Sequence, residues 1–372
     1  MIALALAAFG GAQETIAPDP IASDSLVVAT APEAPVPISP PTPPESGERT
    51  TRWLVIPALF SLPETGPGAA IKTRGRDFLG VPGYLDATVV VTWKKQIDFD
   101  LEWLRDSIAG VWRTRNGVQV GRFPSLWYGS GNPPPDHQKA SYDPLYVIAE
   151  SRVARYLPAG WAVEGSLMLD VEDLTSEHGG AFRAPTVARE GGVFVVAGAA
   201  IEHEGRDLPE DPRYGVYFRS RAQSSIPGSE TVWHSWQNDV SQAVTLWRVT
   251  AVGRLRSVNG WGDIPFWETP YLGFREALRG LPDRRLRGEA VQCAGAELRL
   301  RMPKLWVAPW QIAGFFEEGR AGTHRGVWSE EPLPAGGGGL RLLLDGGRSV
   351  LRADYGVSPK GTGIYLDFGQ AF

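Results

Sequence analysis

The chain has 372 residues, a formal net charge of −5 at pH 7 and an isoelectric point of about 5.7, so no basic field predicts a nucleic-acid partner. Its single cysteine, Cys293, excludes an internal disulfide and a thiolate metal cluster. The sequence contains no run of about 18 apolar residues that would predict a transmembrane helix. A mean hydropathy of −0.17 is still compatible with membrane-spanning β-strands.

Two segments precede the predicted folded domain. Residues 1–12 are apolar and rich in alanine, and they predict a secretory signal peptide that is cleaved after Ala12. No lysine or arginine precedes Arg49, which leaves two explanations open: the true start lies upstream, or the signal is atypical. Residues 13–52 contain nine prolines among small and acidic residues, and they predict an extended linker without a folded domain.

From Trp53 onward the sequence alternates with a period of two, which predicts β-strands. In the clearest case, Ile97–Trp103, apolar residues alternate with Asp98, Asp100 and Glu102. Three carboxylates on one face of a strand require contact with water. A membrane-spanning strand meets this requirement when one of its faces contacts lipid and the other faces a water-filled interior. Residues 53–372, at about 20 residues for each strand with its connection, predict about 16 strands, with 14 as the lower count. The predicted fold class is therefore all-β.

Two charged segments in the second half of the chain are candidate sites. Glu204-Gly-Arg206-Asp207 predicts the charged turn of a hairpin. Further on, Arg279-Gly280 lies in an arginine-rich loop, and strands that carry Glu297 and Glu317 follow it. On its strand, Glu297 shares one parity with Cys293 while the opposite parity is wholly apolar. Glu297 and Cys293 are therefore expected to face the wet side.

The last strand is apolar along one face. Four residues of one parity form that face: Ile364, Leu366, Phe368 and Phe372. An open apolar strand edge invites aggregation, so this strand is expected to pair with the strand that follows Gly66 and to close the sheet. Three glycines mark the predicted seam of this closure: Gly66, Gly68 and Gly363. The apolar face that ends in Phe372 is predicted to act as a signal for membrane assembly.

In chain order, these segments resemble the motifs of the bacterial surface antigen family, the barrels of BamA and TamA. Seven stretches carry the resemblance: Pro63–Gly66, Phe123–Asn132, Glu204–Gly215, Tyr271–Gly288, Glu297–Arg299, Phe315–Gly319 and Asp354–Phe372. The resemblance implies a closed antiparallel transmembrane β-barrel in the bacterial outer membrane, expected to be a monomer in contact with outer-membrane lipid. It also implies insertion or translocation of outer-membrane proteins or lipids, with client proteins or a periplasmic partner. The linker leaves no room for POTRA domains, so this role is expected without them.

The resemblance further implies a role for the loop arginine. In the family an arginine of an R-G motif is bonded to acidic residues of two strands, and the matching residues are Arg279, Gly280, Glu297 and Glu317. The loop is then tethered inside the barrel. A solvated surface loop is the alternative, because five arginines make this segment strongly basic.

Two other functions stay open at this stage. One is a passive pore or structural outer-membrane protein, and the other is a soluble β-rich binding module. The five histidines have no metal-ligand spacing, and the sequence contains no nucleophile elbow or phosphate-binding glycine loop. No enzyme activity, cofactor or metal is therefore expected.

Overall fold

The computed structural model describes residues 51–62, 66–123, 125–134, 140–178, 187–273, 277–305, 308–344, 347 and 349–371. The chain divides into two compact units, Met1–Pro37 and Ile38–Phe372, and every element below belongs to the second. The predicted signal peptide at 1–12 and the predicted linker up to Thr50 lie outside the described residues.

Strands account for nearly all of the regular structure in the described residues. They are β1 (Arg52–Leu62), β2 (Gly66–Arg76), β3 (Gly83–Thr92), β4 (Ile97–Ile108), β5 (Trp112–Arg122), β6 (Ser125–Trp127), β7 (Ala140–Tyr156), β8 (Trp161–His178), β9 (Gly191–Glu204), β10 (Gly215–Ser225), β11 (Trp233–Leu246), β12 (Val249–Gly262), β13 (Tyr271–Leu272), β14 (Leu286–Arg287), β15 (Ala290–Leu305), β16 (Ala308–Gly322), β17 (Leu333–Leu344), β18 (Ser349–Ser358) and β19 (Gly361–Phe368). Short 3₁₀ turns lie at Phe78–Gly80, Pro158–Gly160 and Val327–Ser329. No helix in this part of the chain is long and apolar enough to cross a membrane.

Strands that follow one another in the chain pair antiparallel, because short connections join most of them. The ladders continue through β7, β8 and β9 to β12, where the next partner is β15, and they end at β19. The main sheet has 17 strands, of which β6 contains only three residues and pairs with β7. β13 and β14 form a separate ladder within the long connection between β12 and β15. The predicted all-β antiparallel fold is confirmed.

The prediction that the last strand pairs with the strand after Gly66 is wrong. β2 begins at Gly66 and pairs along both edges, with β1 and with β3, which leaves no free edge for the last strand. The prediction failed because residues 52–62 form a strand of their own despite Pro57 within it. β19 is in register with β18, and among the described residues the structure does not show a ladder that closes the sheet.

The sheet curls, and one of its faces is concave. On this face Arg113 of β5 lies 2.9 Å from Glu202 of β9, although β7 and β8 lie between these strands. In a flat sheet three steps of about 4.8 Å would separate them by about 14 Å. Lys72 of β2 also pairs with Asp367 of β19, so the two ends of the strand series come together.

The convex face is apolar and the concave face is charged. Along β8, Val163, Leu167 and Leu169 are 43%, 55% and 39% exposed, whereas Glu164 and Asp170 are buried. A water-soluble protein distributes these residue types in the opposite way, with charged side chains exposed and aliphatic side chains inside. The predicted alternation is therefore present, with the charges inside the curl.

Much of the buried apolar core on the concave face involves the β12–β15 connection. One cluster joins Phe266 and Trp267 of this connection to side chains of the strands: Trp127, Tyr142, Phe194, Val196 and Trp233. A second cluster joins four leucines of the connection to β15–β17: Leu272, Leu278, Leu281, Leu286, Val291, Cys293, Ala321 and Ala335. Cys293, which was expected on the wet face, does lie on the concave face, but the connection covers it.

Candidate functional site

The candidate site lies where the middle of the β12–β15 connection meets the inner wall. Leu278 and Leu281 are buried in the second apolar cluster and hold this segment against the strands. Gly280 has a φ of 99°, which glycine allows and other residues rarely adopt. A Cβ atom at this position would lie 2.5 Å from the backbone nitrogen of Val357 and 2.6 Å from the backbone carbon of Gly356. Both the conformation and the close approach of β18 therefore require glycine here.

Arg279 is the centre of a group that we call the arginine clamp, formed by Arg279, Glu297, Glu317 and Asp354. Its Nη1 atom lies 2.8 Å from Glu297 Oε2 on β15 and 2.8 Å from Asp354 Oδ2 on β18. Its Nε atom donates to Glu317 Oε1 on β16 at 3.0 Å, and its backbone N–H donates to Glu317 Oε2 at 2.7 Å. The four side chains are at most 1% exposed, so these charge-assisted hydrogen bonds are shielded from water.

Two further effects keep Arg279 charged. Its guanidinium carbon lies 3.4 Å from the centre of the Phe315 ring, a cation–π contact. Burial lowers the pKa of Arg279, but the carboxylates of Glu317, Glu297 and Asp354 outweigh it, and the pKa is raised overall. The clamp therefore holds a permanent positive charge between three carboxylates.

Arginines of the strands complete the charge balance around the clamp. Arg299 donates to Glu297 at 2.8 Å. Arg341 lies 3.2 Å from Glu297 and also pairs with Asp354. Arg352 lies 3.5 Å from Asp354 and 3.4 Å from Asp367. Asp367 also pairs with Lys72 of β2, so each of the carboxylates of Glu297, Glu317, Asp354 and Asp367 faces at least one cationic group. Buried charges require such partners, because an unpaired charge loses its hydration without compensation.

The last strand also holds the connection. The Gly280 N–H donates to the Tyr365 hydroxyl on β19 at 2.7 Å, and Ser358 Oγ at the end of β18 donates to the Gly280 carbonyl at 3.0 Å. The structure thus brings the predicted residues Arg279, Gly280, Glu297 and Glu317 together on the concave face. Sequence reasoning missed Asp354 and Tyr365 as site residues. Both lie on the polar parities of their strands, which predicts that they face inward but does not identify Arg279 and Gly280 as their partners.

A second part of the connection contacts β8. Trp267 Nε1 donates to Asp170 Oδ2 at 3.1 Å, and both residues are buried. Burial and the neighbouring carboxylate of Asp170 raise the pKa of Glu268 to about 7. Among the described residues, no group of three or more histidine, cysteine, aspartate or glutamate side chains could hold a metal ion.

The predicted hairpin motif forms the turn between β9 and β10. Arg206 Nε donates to Glu204 Oε1 at 2.8 Å, and Asp207 Oδ1 accepts the backbone N–H of Arg213 at 2.9 Å. The turn then extends across the concave face. Asp211, which is 2% exposed, accepts hydrogen bonds from Arg301, Gln311 and Gln370 at 2.5, 2.9 and 3.2 Å. The motif therefore shapes a turn that reaches the opposite wall.

The remaining predicted positions lie apart from the clamp. Gly68 is in register with Thr92 of β3, and Gly363 is in register with Gly356 of β18. Gly68 is also in register with Phe60 of β1, so both edges of its strand are paired and it does not form a seam with the last strand. The role of Gly363 in a seam stays a prediction.

The apolar face of the last strand lies partly on the convex side. Ile364 and Leu366 are 74% and 48% exposed. For Phe368 the structure describes only the backbone, and Phe372 lies outside the described residues. Their role as an assembly signal stays a prediction.

Comparisons with known proteins identify a similar fold among solved structures. No family model matches the sequence, and a search of curated proteins finds no match. Among solved structures, BamA from Haemophilus ducreyi lacking POTRA domains 1–3 is similar, with a TM-score of 0.57 at 12% identity. The similarity covers 86% of this chain and 69% of the BamA chain.

Two CdiB structures are similar as well. CdiB from Acinetobacter baumannii gives a TM-score of 0.55 at 14% identity, over 85% of this chain and 59% of that chain. CdiB from Escherichia coli gives 0.61 at 11% identity, over 85% and 61%. This chain thus spans about three fifths of the CdiB chains. At these identities the likeness shows the fold, and the resemblance to a BamA/TamA-type barrel is confirmed at that level.

Proposed function

We propose that the protein is an outer-membrane β-barrel of the BamA/TamA type that assists the insertion or translocation of outer-membrane proteins or lipids. The observation that carries this proposal is the reversed distribution of residues on the sheet, with aliphatic side chains on the convex face and charges inside. Lipid stabilises such a convex face, whereas water does not. The shared fold with BamA and CdiB supports the same assignment.

The height of the apolar surface fits a bilayer. Trp236 on β11 and Trp247 in the turn after it are 47% and 79% exposed. They are separated by roughly 37 Å along the strand at about 3.4 Å per residue, and a tilt of about 40° reduces this to roughly 28 Å. Outer-membrane barrels have an apolar band of about 25 Å between two aromatic girdles. The exposed surface of the sheet therefore favours outer-membrane lipid over a soluble binding module.

The docked connection favours an insertase or translocase over a passive pore. It covers part of the concave face with two apolar clusters and the arginine clamp. The connection would therefore obstruct the passage of a solute along this part of the face. Client outer-membrane proteins or a periplasmic partner are the partners proposed.

The proposal is tested in two steps with the full chain. The purified protein should need detergent to stay in solution and should migrate differently on gels before and after heating. Liposomes that contain it should then accelerate the folding of an added client barrel. Liposomes with heat-denatured protein are the control. A protein that stays soluble without detergent refutes the membrane assignment, and a membrane barrel that leaves client folding unchanged in rate is a passive or structural barrel.

A further inference from the structure

The turn between β9 and β10 crosses the concave face at one end of the sheet. We call residues 205–214 the strap, and the end of the sheet at which they lie the strap end. Because neighbouring strands are antiparallel, the β15–β16 and β17–β18 connections lie at the strap end, whereas the β12–β15 connection enters from the opposite end. The strap and the β12–β15 connection therefore approach the concave face from opposite ends.

The strap has a fixed shape of its own. Its base is closed by Asp207, whose backbone N–H donates to the Tyr214 carbonyl at 3.1 Å and whose Oδ1 accepts the Tyr214 backbone N–H at 3.2 Å. Its tip is a β-turn in which the Asp211 N–H donates to the Leu208 carbonyl at 3.2 Å. Pro209 occupies the second position of this turn, where the fixed φ of proline is favourable. The strap can therefore move as one body without losing these internal hydrogen bonds.

The tip of the strap contacts strands that lie far from β9 and β10 in the sheet. Arg301 of β15 lies 2.5 Å from Asp211 Oδ2, and Gln311 of β16 donates to Asp211 Oδ1 at 2.9 Å. Glu210 Oε1 lies 3.9 Å from Arg74 Nη1 on β2. Six ladder steps of about 4.8 Å separate β9 from β2, which is roughly 29 Å along the sheet. The strap therefore crosses the concave space and does not follow the wall.

A single buried carboxylate holds the tip in place. Asp211 is 2% exposed and accepts hydrogen bonds from three side chains: Arg301, Gln311 and Gln370. Among the described residues, neither apolar cluster of the β12–β15 connection includes a residue of the strap. The Arg301 side chain is 38% exposed, so water reaches one partner of the main ion pair. Such a contact is exchanged more easily than the dry contacts of the arginine clamp.

A cavity of about 470 Å³ lies next to the strap on the concave face. Residues of β4, β5, β7 and β10–β12 line it, and so do Arg206 in the base of the strap and Ala371 after β19. Its volume is large enough for a small water-soluble molecule. Ser241 of β11 also lines the cavity and is 5% exposed. The strap is therefore in position to limit access to the cavity from the strap end.

We propose that the strap is an autoinhibitory lid on the cavity and that Asp211 is its latch. When Asp211 loses Arg301, the tip leaves the wall as one body, and water-soluble molecules reach the cavity from the strap end. The lid thus differs from the β12–β15 connection, which two apolar clusters hold in addition to its ion pairs. This inference does not depend on the insertion function, because it concerns access to the concave face alone.

The experiment uses the full chain in detergent with two substitutions that report access to the cavity. Cys293→Ala removes the native thiol, and Ser241→Cys places a thiol on the cavity wall. The first measurement is the rate at which a water-soluble thiosulfonate reagent modifies the thiol at position 241. The second is the rate of trypsin cleavage after Arg213, which reports release of the strap. Asp211→Asn should raise both rates about tenfold, the value of one charge-assisted hydrogen bond.

Three further variants test the latch. Arg301→Gln removes the other partner of the ion pair and should also raise both rates. The double variant Asp211→Asn/Arg301→Gln should give the rates of the stronger single variant, because both substitutions break the same contact. Asp173→Asn changes an exposed carboxylate on β8, is the matched control and should leave both rates unchanged. Circular dichroism confirms that each variant is folded.

Three results would overturn the proposal. An unchanged rate of thiol modification in folded Asp211→Asn would show that the strap does not limit access. An unchanged rate of cleavage after Arg213 in that variant would show that Asp211 does not hold the tip. Multiplied effects in the double variant would show that Asp211 and Arg301 act separately. If Asp211→Asn fails to fold, Arg301→Gln decides the question, because it leaves Asp211 with two amide donors.

Discussion

The arginine clamp and the cavity of about 470 Å³ on the same concave face use the same residue types at different exposure, and residues of β4, β5, β7 and β10–β12 line the cavity. In the clamp, the side chains of Arg279, Glu297, Glu317 and Asp354 are at most 1% exposed. In the cavity, the side chains of Arg152 and Arg219 are 20% and 15% exposed. Ion pairs that are shielded from water lock a segment in place, whereas ion pairs that water reaches contribute less to stability.

Among the variants, Arg279→Ala is expected to have the largest effect on stability and on cleavage of the connection. The variant leaves three buried carboxylates without their central partner, which should lower the free energy of unfolding by about 3 kcal/mol or more. The connection should also leave the wall, so that trypsin cuts after Arg284 faster than in the parent. Limited proteolysis of the folded protein measures this rate.

Two controls separate the clamp from general charge effects. Arg325→Ala removes an exposed arginine and should leave both stability and cleavage unchanged. Arg221→Gln in the cavity leaves Glu150 with Arg152 and should cost less stability than Arg279→Ala, because the Arg221 and Glu150 side chains are 12% and 17% exposed. Equal cleavage rates in Arg279→Ala and the parent would show that the clamp does not hold the connection.

Gly280→Ala should have the next largest effect. The added Cβ atom would meet the backbone of β18 at 2.5 Å, and alanine is strained at a φ of 99°. We expect a loss of about 1–3 kcal/mol in the free energy of unfolding, with faster cleavage after Arg284. Gly110→Ala is the matched control, since Gly110 also has a positive φ but has open space around its Cβ position. If both variants lose the same stability, the contact with β18 contributes nothing.

Tyr365→Phe tests the contribution of the last strand. It removes the hydroxyl that accepts the Gly280 N–H at 2.7 Å and should cost about 1 kcal/mol, measured by chemical unfolding in detergent. Tyr355→Phe on β18, where the side chain is 52% exposed, is the control and should change nothing. A cost no larger than that of the control would remove Tyr365 from the site.

The smallest effect is expected from pH. The pKa of Glu268 is raised from 4.5 to about 7, so the docked connection binds this proton more tightly than the undocked one. The associated stability is fully present below pH 4.5 and is lost as the pH rises through 7. Cleavage after Arg284 should therefore accelerate between pH 5 and pH 8, after correction for the pH dependence of trypsin on an unstructured substrate. Glu268→Gln should flatten this increase, and an unchanged slope in that variant would assign the titration to another group.

The strands and the core of the clamp follow from local patterns in the sequence. The alternation around Glu297 places that residue inside, because only one parity can face lipid, and the structure buries it against Arg279. The order of short motifs indicated the fold, which the similarity to BamA and CdiB shows. These features could be predicted from the sequence because an alternation with a period of two is a property of each strand alone.

Features that depend on contacts between distant strands could not be predicted from the sequence. The partnership of Arg279 with Asp354 requires knowledge of which strands curl towards one another, and no local pattern contains it. The same limit hid the cavity on the concave face, because its ion pairs join side chains from strands far apart in the chain. The first strand was missed for another reason: Pro57 and the neighbouring proline-rich linker obscured its alternation.

The contacts of Gly280 and Arg279 with the end of the chain have a consequence for folding order. Neighbouring hairpins can form one after another, since each ladder joins strands close in sequence. The contacts from Arg279 to Asp354 and from Gly280 to Tyr365 instead span 75 and 85 residues. The connection can therefore reach its final place only after β18 and β19 have formed, and protection of Arg284 from trypsin during refolding should appear last. Docking of this one segment would then report that the whole chain has completed folding.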